Sequence, residues 1–303
     1  MKWFRRRRVV VALVLFGVSG LWISGLFGLA VNTLAMRTNT EDQLRNSFWF
    51  ANYRIGIEGR PIAGLVDNLS GLTFSPASGT LFSAINRPLE LAELSPDGQL
   101  LRRIALTGAD DVEGITHVDG NQFILVDEGR HRLSWVTITP DTESIDLETA
   151  PFLTLDLGAF ENLGFEGVSW DQRRKELVIV QEMLPVRVLV VGGLDEAARV
   201  QGLGVTIREW QPDNWAGHFV ADLSSVTVDD LTGNMLLLSH MSSILVEYDP
   251  DGRPLGLLSL WSGSHGLTRT VPQAEGVAIG PERQIFIVSE PNLFYRFDPR
   301  VAE

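Results

Sequence analysis

Apolar and polar positions alternate along this chain in five separate stretches, and the stretches align with one another. They are LSGLTFSPASGTLFSAIN from Leu69, VEGITHVDGNQFILVDE from Val112, FEGVSWDQRRKELVIVQE from Phe165, LSSVTVDDLTGNMLLLSH from Leu223 and AEGVAIGPERQIFIVSE from Ala274. Each opens on a small or acidic residue, usually with Gly nearby, alternates, turns through Gly, Asp, Asn or Pro, and returns as a strongly apolar run. A period of two broken by turn residues describes a β-hairpin. A third strand is expected at 89–94, 133–138, 186–191, 244–248 and 293–297. In two units an Asp-Gly turn, Asp97-Gly98 or Asp251-Gly252, leads into a fourth at 99–106 or 254–260.

Four antiparallel strands per unit, with unit starts 43, 53, 58 and 51 residues apart, predict propeller blades. The fold class read from this pattern is all-β, a five-bladed β-propeller. A six-bladed ring is the alternative if the connection after Pro140 or Val191 hides another unit, which their composition does not favour. The last unit ends with three strands, and the segment 48–57 alternates ahead of the first unit, so that segment is expected to supply the missing outer strand. Joining the two ends of the chain in one blade would close the ring and remove two sheet edges.

The N-terminal residues follow a different pattern. Lys2 and Arg5 to Arg8 precede an uncharged apolar run over 9–36, longer than the apolar part of a cleaved signal peptide and long enough to span a bilayer. The reading is a signal anchor, with cleavage after Ala30 in Gly28-Leu29-Ala30 as its rival. The division is a cytoplasmic basic stub (1–8), a transmembrane helix (9–36), a tether (37–46), the propeller (47–299) and a short tail (300–303). By the positive-inside rule everything after Arg37 lies across the membrane. In a bacterium this is a single-pass protein of the inner membrane with its C-terminal domain in the periplasm.

There is no cysteine, so neither disulfides nor thiolate chemistry is available. Residues 38–303 hold 19 basic against 38 acidic residues, a net charge of −19. Such a surface repels phosphate backbones, which excludes nucleic acid and favours cations.

Within the repeats the charge falls in two columns. The first holds Ser70, Glu113, Glu166, Ser224 and Glu275, and the second Asn86, Glu128, Glu182, His240 and Glu290. The head of a blade's innermost strand and the foot of its second strand share one face, so both columns should meet at one channel mouth. Asp110, Asp111, Asp127 and Asp222 belong to loops on that face. Crowded carboxylates raise one another's pKa unless a cation sits among them, and oxygen donors with few histidines suit calcium. The metal candidates are therefore Glu113, Glu128, Glu166, Glu182, Glu275 and Glu290, with Asn86, Asp127, His240 and His265 as possible ligand-binding residues, the last in a glycine-rich loop, 262–266, expected over the same mouth. The competing reading is that each glutamate caps its own blade. The repeated Gly is read as architectural, a close approach near the axis. His117 reads as a strand residue and His131 as a turn residue. Neither a zinc motif nor a nucleophile elbow is present in the soluble part.

The run PIAGLVDNLSGLTFSPASGTLFSAINRP, the EGI and FEG motifs, LLLSHMSSIL and QAEGVAIGPERQIFIVSEPNLFYRF resemble the SdiA-regulated family of membrane-anchored, YjiK-like propellers, over about residues 47–299. The resemblance implies a five-bladed propeller, distantly related to NHL-repeat propellers, with a calcium site. It implies no particular ligand or activity. The departures at Ser70, Asn86, Ser224 and His240 place an expected cation off-axis, toward blades two, three and five. The leading functional reading is a membrane-held calcium-binding recognition or scaffold module for a protein, glycan or small-molecule ligand. The alternative is a calcium-dependent hydrolase of lactonase, phosphoesterase or phytase-like type, with Glu128 or Glu182 as base and His240 as acid. A third is a structural propeller with a stabilising cation.

Overall fold

Each repeat folds as one blade. The computed structural model describes residues 33–34, 36–155, 164–182, 186–194, 204–213 and 220–300. The stub 1–8, the final residues 301–303 and most of the expected anchor 9–36 lie outside the described residues. Among the described residues no helix is long and apolar enough to cross a membrane.

The first strand, β1 (Tyr53–Pro61), pairs with none of its sequence neighbours. Blade one consists of β2 (Leu69–Ser75), β3 (Thr80–Asn86), β4 (Leu89–Leu94) and β5 (Leu100–Thr107), and blade two opens with β6 (Val112–Asp119), β7 (Gln122–Asp127) and β8 (Arg132–Thr137). The chain then returns to blade one: β9 (Ser144–Asp146) pairs parallel to β5 before β10 (Phe152–Thr154) completes blade two. Blade three is β11 (Phe165–Asp171), β12 (Glu176–Gln181), β13 (Arg187–Gly192) and β14 (Thr206–Trp210). Blade four is β15 (Ser225–Val228), β16 (Met235–Ser239), β17 (Ile244–Tyr248) and β18 (Pro254–Ser259). Blade five is β19 (Ala274–Ile279), β20 (Ile285–Ser289) and β21 (Leu293–Pro299), with β1 antiparallel to β21 as its outer strand. The described residues form five blades and no sixth.

The ring is closed by the N-terminal strand as expected, but that strand is displaced from 48–57. Phe48 and Phe50 are buried beside Tyr53 in an aromatic cluster, and residues Phe50–Asn52 form a 3-10 turn before β1 begins. The alternation over 48–53 therefore reports packing onto blade four. The buried Glu247 of β17 accepts the Phe48 N–H at 2.9 Å and the Asn234 amide at 2.7 Å. Further upstream, a short helix α1 (Glu41–Arg45) carries a capping box between Thr40 and Gln43.

The innermost strands β2, β6, β11, β15 and β19 pack against one another in that order around the channel. Hydroxyls at one repeated position link the blades: Thr73 accepts the N–H of His117, Thr116 that of Trp170 and Ser169 that of Val228. Each of the five hydrophobic clusters lies at a junction between neighbouring blades, as where Phe82 and Ala84 of blade one meet Ile115 and Phe123 of blade two. The core is thus a ring of inter-blade seams. The repeated Gly is where the seams are tightest. A Cβ at Gly167 would lie 2.7 Å from Ser225 Cα, and one at Gly276 would lie 2.7 Å from Gly71 C, both backbone atoms of the next blade.

Candidate metal centre at the channel mouth

Three of the glutamates sit in matching backbone irregularities. The pairing of β6 with β7 skips from Val112 to Gly114, that of β11 with β12 from Phe165 to Gly167, and that of β19 with β20 from Ala274 to Gly276. The skipped residues are Glu113, Glu166 and Glu275. A β-bulge leaves one residue unpaired and re-aims its side chain, so one device, repeated in three blades, delivers three carboxylates to one end of the channel. The second column follows the last residue of β7, β12, β16 and β20, which brings Glu128, Glu182, His240 and Glu290 to the same end.

The electrostatics show that these groups share a space. Glu166 is pushed up to about 10 by burial and then by Glu128, Glu113, Glu182 and Glu275. Burial, with Glu113, Asp111 and Glu182, pushes Glu128 to about 7. Glu275 also reaches about 7, through burial foremost, with His240 opposing. Glu113, Glu182 and Glu290 are raised as well, each chiefly by burial. Carboxylates from blades two, three and five thus raise one another, the signature of a like-charge cluster.

Two tighter groups stand out within the mouth. Ligand atoms of Asp111, Glu113 and Glu128 lie within 4.8 Å of one another, as do those of Glu182, Asp222 and His240. In the first, Asn86 Nδ2 donates to Glu113 Oε1 at 2.6 Å, while the buried Asn86 Oδ1 has no hydrogen-bond partner. An acceptor with no donor, on a side chain bonded to one of three grouped carboxylates, fits a hard cation, and the group offers oxygen ligands alone, which suits calcium. In the second, His240 Nδ1 lies 2.8 Å from Asp222 Oδ2 and 3.8 Å from Glu275 Oε1. Asp222 and the neighbouring carboxylates raise the His240 pKa against the opposing effect of burial.

Not every sequence candidate belongs to the mouth. Asp127 is buried, and its carboxylate is spent on the backbone N–H groups of Asp110, Asp111 and Arg130 at 3.1, 3.2 and 3.3 Å. It organises the loop that presents Asp111. His265, expected over the mouth, lies instead against the outer strand of blade five: its carbonyl accepts the Ile55 N–H and its Nδ1 is 3.1 Å from Tyr53 O. Burial lowers its pKa. His131 occupies a turn at φ 49°, and His117 lies in β6 at the other end of the channel. Asp127 and Asp222, which accepts the Ser239 hydroxyl and the Met241 N–H, bind backbone in the way considered for the glutamates, and Glu128 also takes a backbone hydrogen bond, from Gly164. Sequence reasoning undervalued Asp111 and Asp222, because neither stands in a repeated column.

The chain belongs to the SdiA-regulated family, whose signature matches residues 45–298. Among solved structures it is similar to Myxococcus xanthus glutaminyl cyclase, at 16% identity over 83% of this chain and 97% of that one, with a TM-score of 0.54. It is also similar to streptogramin B lyase, at 10% identity over 84% and 100% with a TM-score of 0.50. A third similar structure is that of a calcium-binding protein, regucalcin, from Agrobacterium tumefaciens, at 15% identity over 79% and 93% with a TM-score of 0.50. At these identities the likeness is one of fold.

Proposed function

We propose that this SdiA-regulated propeller binds calcium at the acidic mouth of its channel and serves as a membrane-held recognition module. The observation that carries the reading is the Asp111, Glu113 and Glu128 group beside the unpartnered Asn86 Oδ1. Bulges and blade packing hold these acids together at a cost in charge repulsion, which a divalent cation would relieve. The regucalcin likeness adds only that a similar fold accommodates calcium.

The proposed anchor also fixes an orientation. Met36 packs against the seam of blades three and four, Asn39 Nδ2 donates to Pro254 O, and Asn234 Nδ2 donates to Asn46 O. Asn234 and Pro254 lie in or beside turns at the end of blade four opposite the glutamates. The chain thus reaches the ring on that side, so the proposed anchor would turn the acidic mouth away from the bilayer, toward a soluble protein, glycan or small molecule.

Titration calorimetry on the purified full-length chain tests the calcium reading. Saturable calcium heat is expected in the wild type, weakened about tenfold or more by Glu113→Gln or Glu128→Gln, the scale of a lost charged ligand. Absence of calcium heat in the wild type overturns it. The Glu182, Asp222 and His240 group favours a second reading, a calcium-dependent hydrolase, in which the raised His240 would donate a proton and Glu182 would activate water. Calcium-dependent turnover of a lactone or phosphoester, lost in His240→Ala, would select it.

A further inference from the structure

The channel has a second mouth, at the end that carries the turns between the first and second strands of each blade. There the ring encloses a cavity of about 320 Å³ with walls from all five blades, at the small end of ligand pockets.

Most polar groups around it are engaged in holding the fold. The oxygens of Thr73 and Thr116 accept N–H groups of the next blade. Trp170 Nε1 donates to Gln172 Oε1 at 3.0 Å, and the Gln172 amide donates to Val118 O at 2.8 Å. Asp229 is buried, accepts from Leu231 N and Thr232 Oγ1, and pairs with Arg283 at 3.4 Å.

Two acceptors are left over. The Asp230 carboxylate has no hydrogen bond or ion pair among the described residues, and the nearby Lys175 ammonium is held on Gln172 Oε1 at 2.5 Å. His117 Nε2 lies 2.9 Å from Gly120 O. A carbonyl only accepts, so in the neutral ring Nε2 carries the proton and Nδ1 is left with its lone pair. Of the charged side chains that line the cavity, Arg283 is offset by Asp229 and the Asp230 carboxylate is left over, with the Lys175 ammonium acting on it from outside the lining. Around it stand apolar surfaces: Phe74 is half-buried, and Leu231 is 72% exposed. An exposed leucine beside an unpaired carboxylate at a concave site suits a ligand with both characters.

We propose that this second mouth binds a small primary ammonium compound with an apolar body, its charge against Asp230 and His117 and its apolar part against Phe74 and Leu231. The site is independent of the calcium reading, since it lies at the other end of the channel and uses none of the glutamates.

The test is titration of the full-length chain with 2-phenylethylamine in the presence of a chelator, with 2-phenylethanol as the uncharged control of the same shape. The amine is expected to bind saturably, the alcohol about tenfold or more weakly, and Asp230→Asn to weaken the amine by a similar factor. Asp230 holds no hydrogen bond, so its replacement leaves the fold intact, which circular dichroism verifies. Saturating calcium in place of the chelator is expected to leave the amine affinity unchanged. The proposal is overturned by an absence of saturable amine binding, by equal binding of alcohol and amine, by an unchanged Asp230→Asn affinity, or by competition from calcium, which would assign the amine to the acidic mouth.

Discussion

Glu166 is the residue on which the acidic mouth turns, because four other glutamates act on it at once. With its folded-state pKa near 10 against an ordinary value of 4.5, the folded protein without a cation holds a proton there that the unfolded chain gives up. Between those values the native state binds more protons than the unfolded one, so stability falls as pH rises through the window. Glu128 and Glu275, each raised to about 7, add to the same slope at its lower end. In chelator, the protein is expected to melt lower at about pH 8.5 than at about pH 5.5, and calcium is expected to reduce that difference. Replacing Glu166 with Gln keeps the shape and removes the titration, so the chelated variant should lose part of the pH slope and melt higher than wild type at the upper pH. The gain is about 2 to 4 °C for each kcal/mol recovered in a domain of this size. Differential scanning calorimetry at the two pH values reads both effects, and an unchanged slope in Glu166→Gln would show that the five carboxylates do not share a field.

At the scale of elements, the blades depend on the close approach at each repeated glycine. Gly167→Ala is expected to destabilise by about 1 to 3 kcal/mol, as overpacking does, because the added methyl would meet the Ser225 backbone, which cannot swing away as a side chain would. Gly204→Ala is the control: nothing lies within 4 Å of its Cβ position, and urea midpoints should show little loss. The same geometry explains what the sequence revealed and what it hid. The inner strands were legible because both faces are buried in the seams, as in β16 and β20, where every residue is buried. The outer strands β9, β10 and β14 were not, since they are only 3, 3 and 5 residues long and mostly exposed, too short for a period to be read. The return of β9 to blade one is a long-range parallel pairing that no local pattern encodes. The displacement of β1 has a related cause: its second half, through Arg60, is polar, partly exposed and bulged, whereas the aromatic residues ahead of it mimic a strand by packing. The two columns of the mouth were legible because the bulge recurs in register with the repeat. Asp111 and Asp222 were harder to value because loops place them, and His265 was misplaced because its loop drops along the outer strand.

For the whole molecule, the two ends of the channel differ in chemistry and in relation to the start of the chain. One end gathers carboxylates that repel one another, and the other holds a smaller, partly apolar cavity on the side where Asn39 meets Pro254. Calcium binding only to the folded state would stabilise the ring by about 2.7 kcal/mol at a hundredfold excess over Kd, so the cation and the closure of the propeller would be thermodynamically linked. The proposed anchor makes the asymmetry directional, because a chain docked at the Asn39 end keeps that end toward the bilayer. Absence of cysteine from the native sequence allows this to be measured with single labels. Asp251 lies in the blade-four turn beside Pro254, and Met241, 55% exposed, lies beside His240 at the acidic mouth. In full-length protein reconstituted into vesicles that carry an acceptor dye at the membrane surface, a donor on Asp251→Cys should transfer energy more efficiently than one on Met241→Cys. The ring spans several strand residues at about 3.3 Å each, a separation that resonance transfer resolves. Equal or reversed efficiencies would mean that the mouth does not face away from the membrane, and release of the labelled chain from the vesicles would remove the anchor itself.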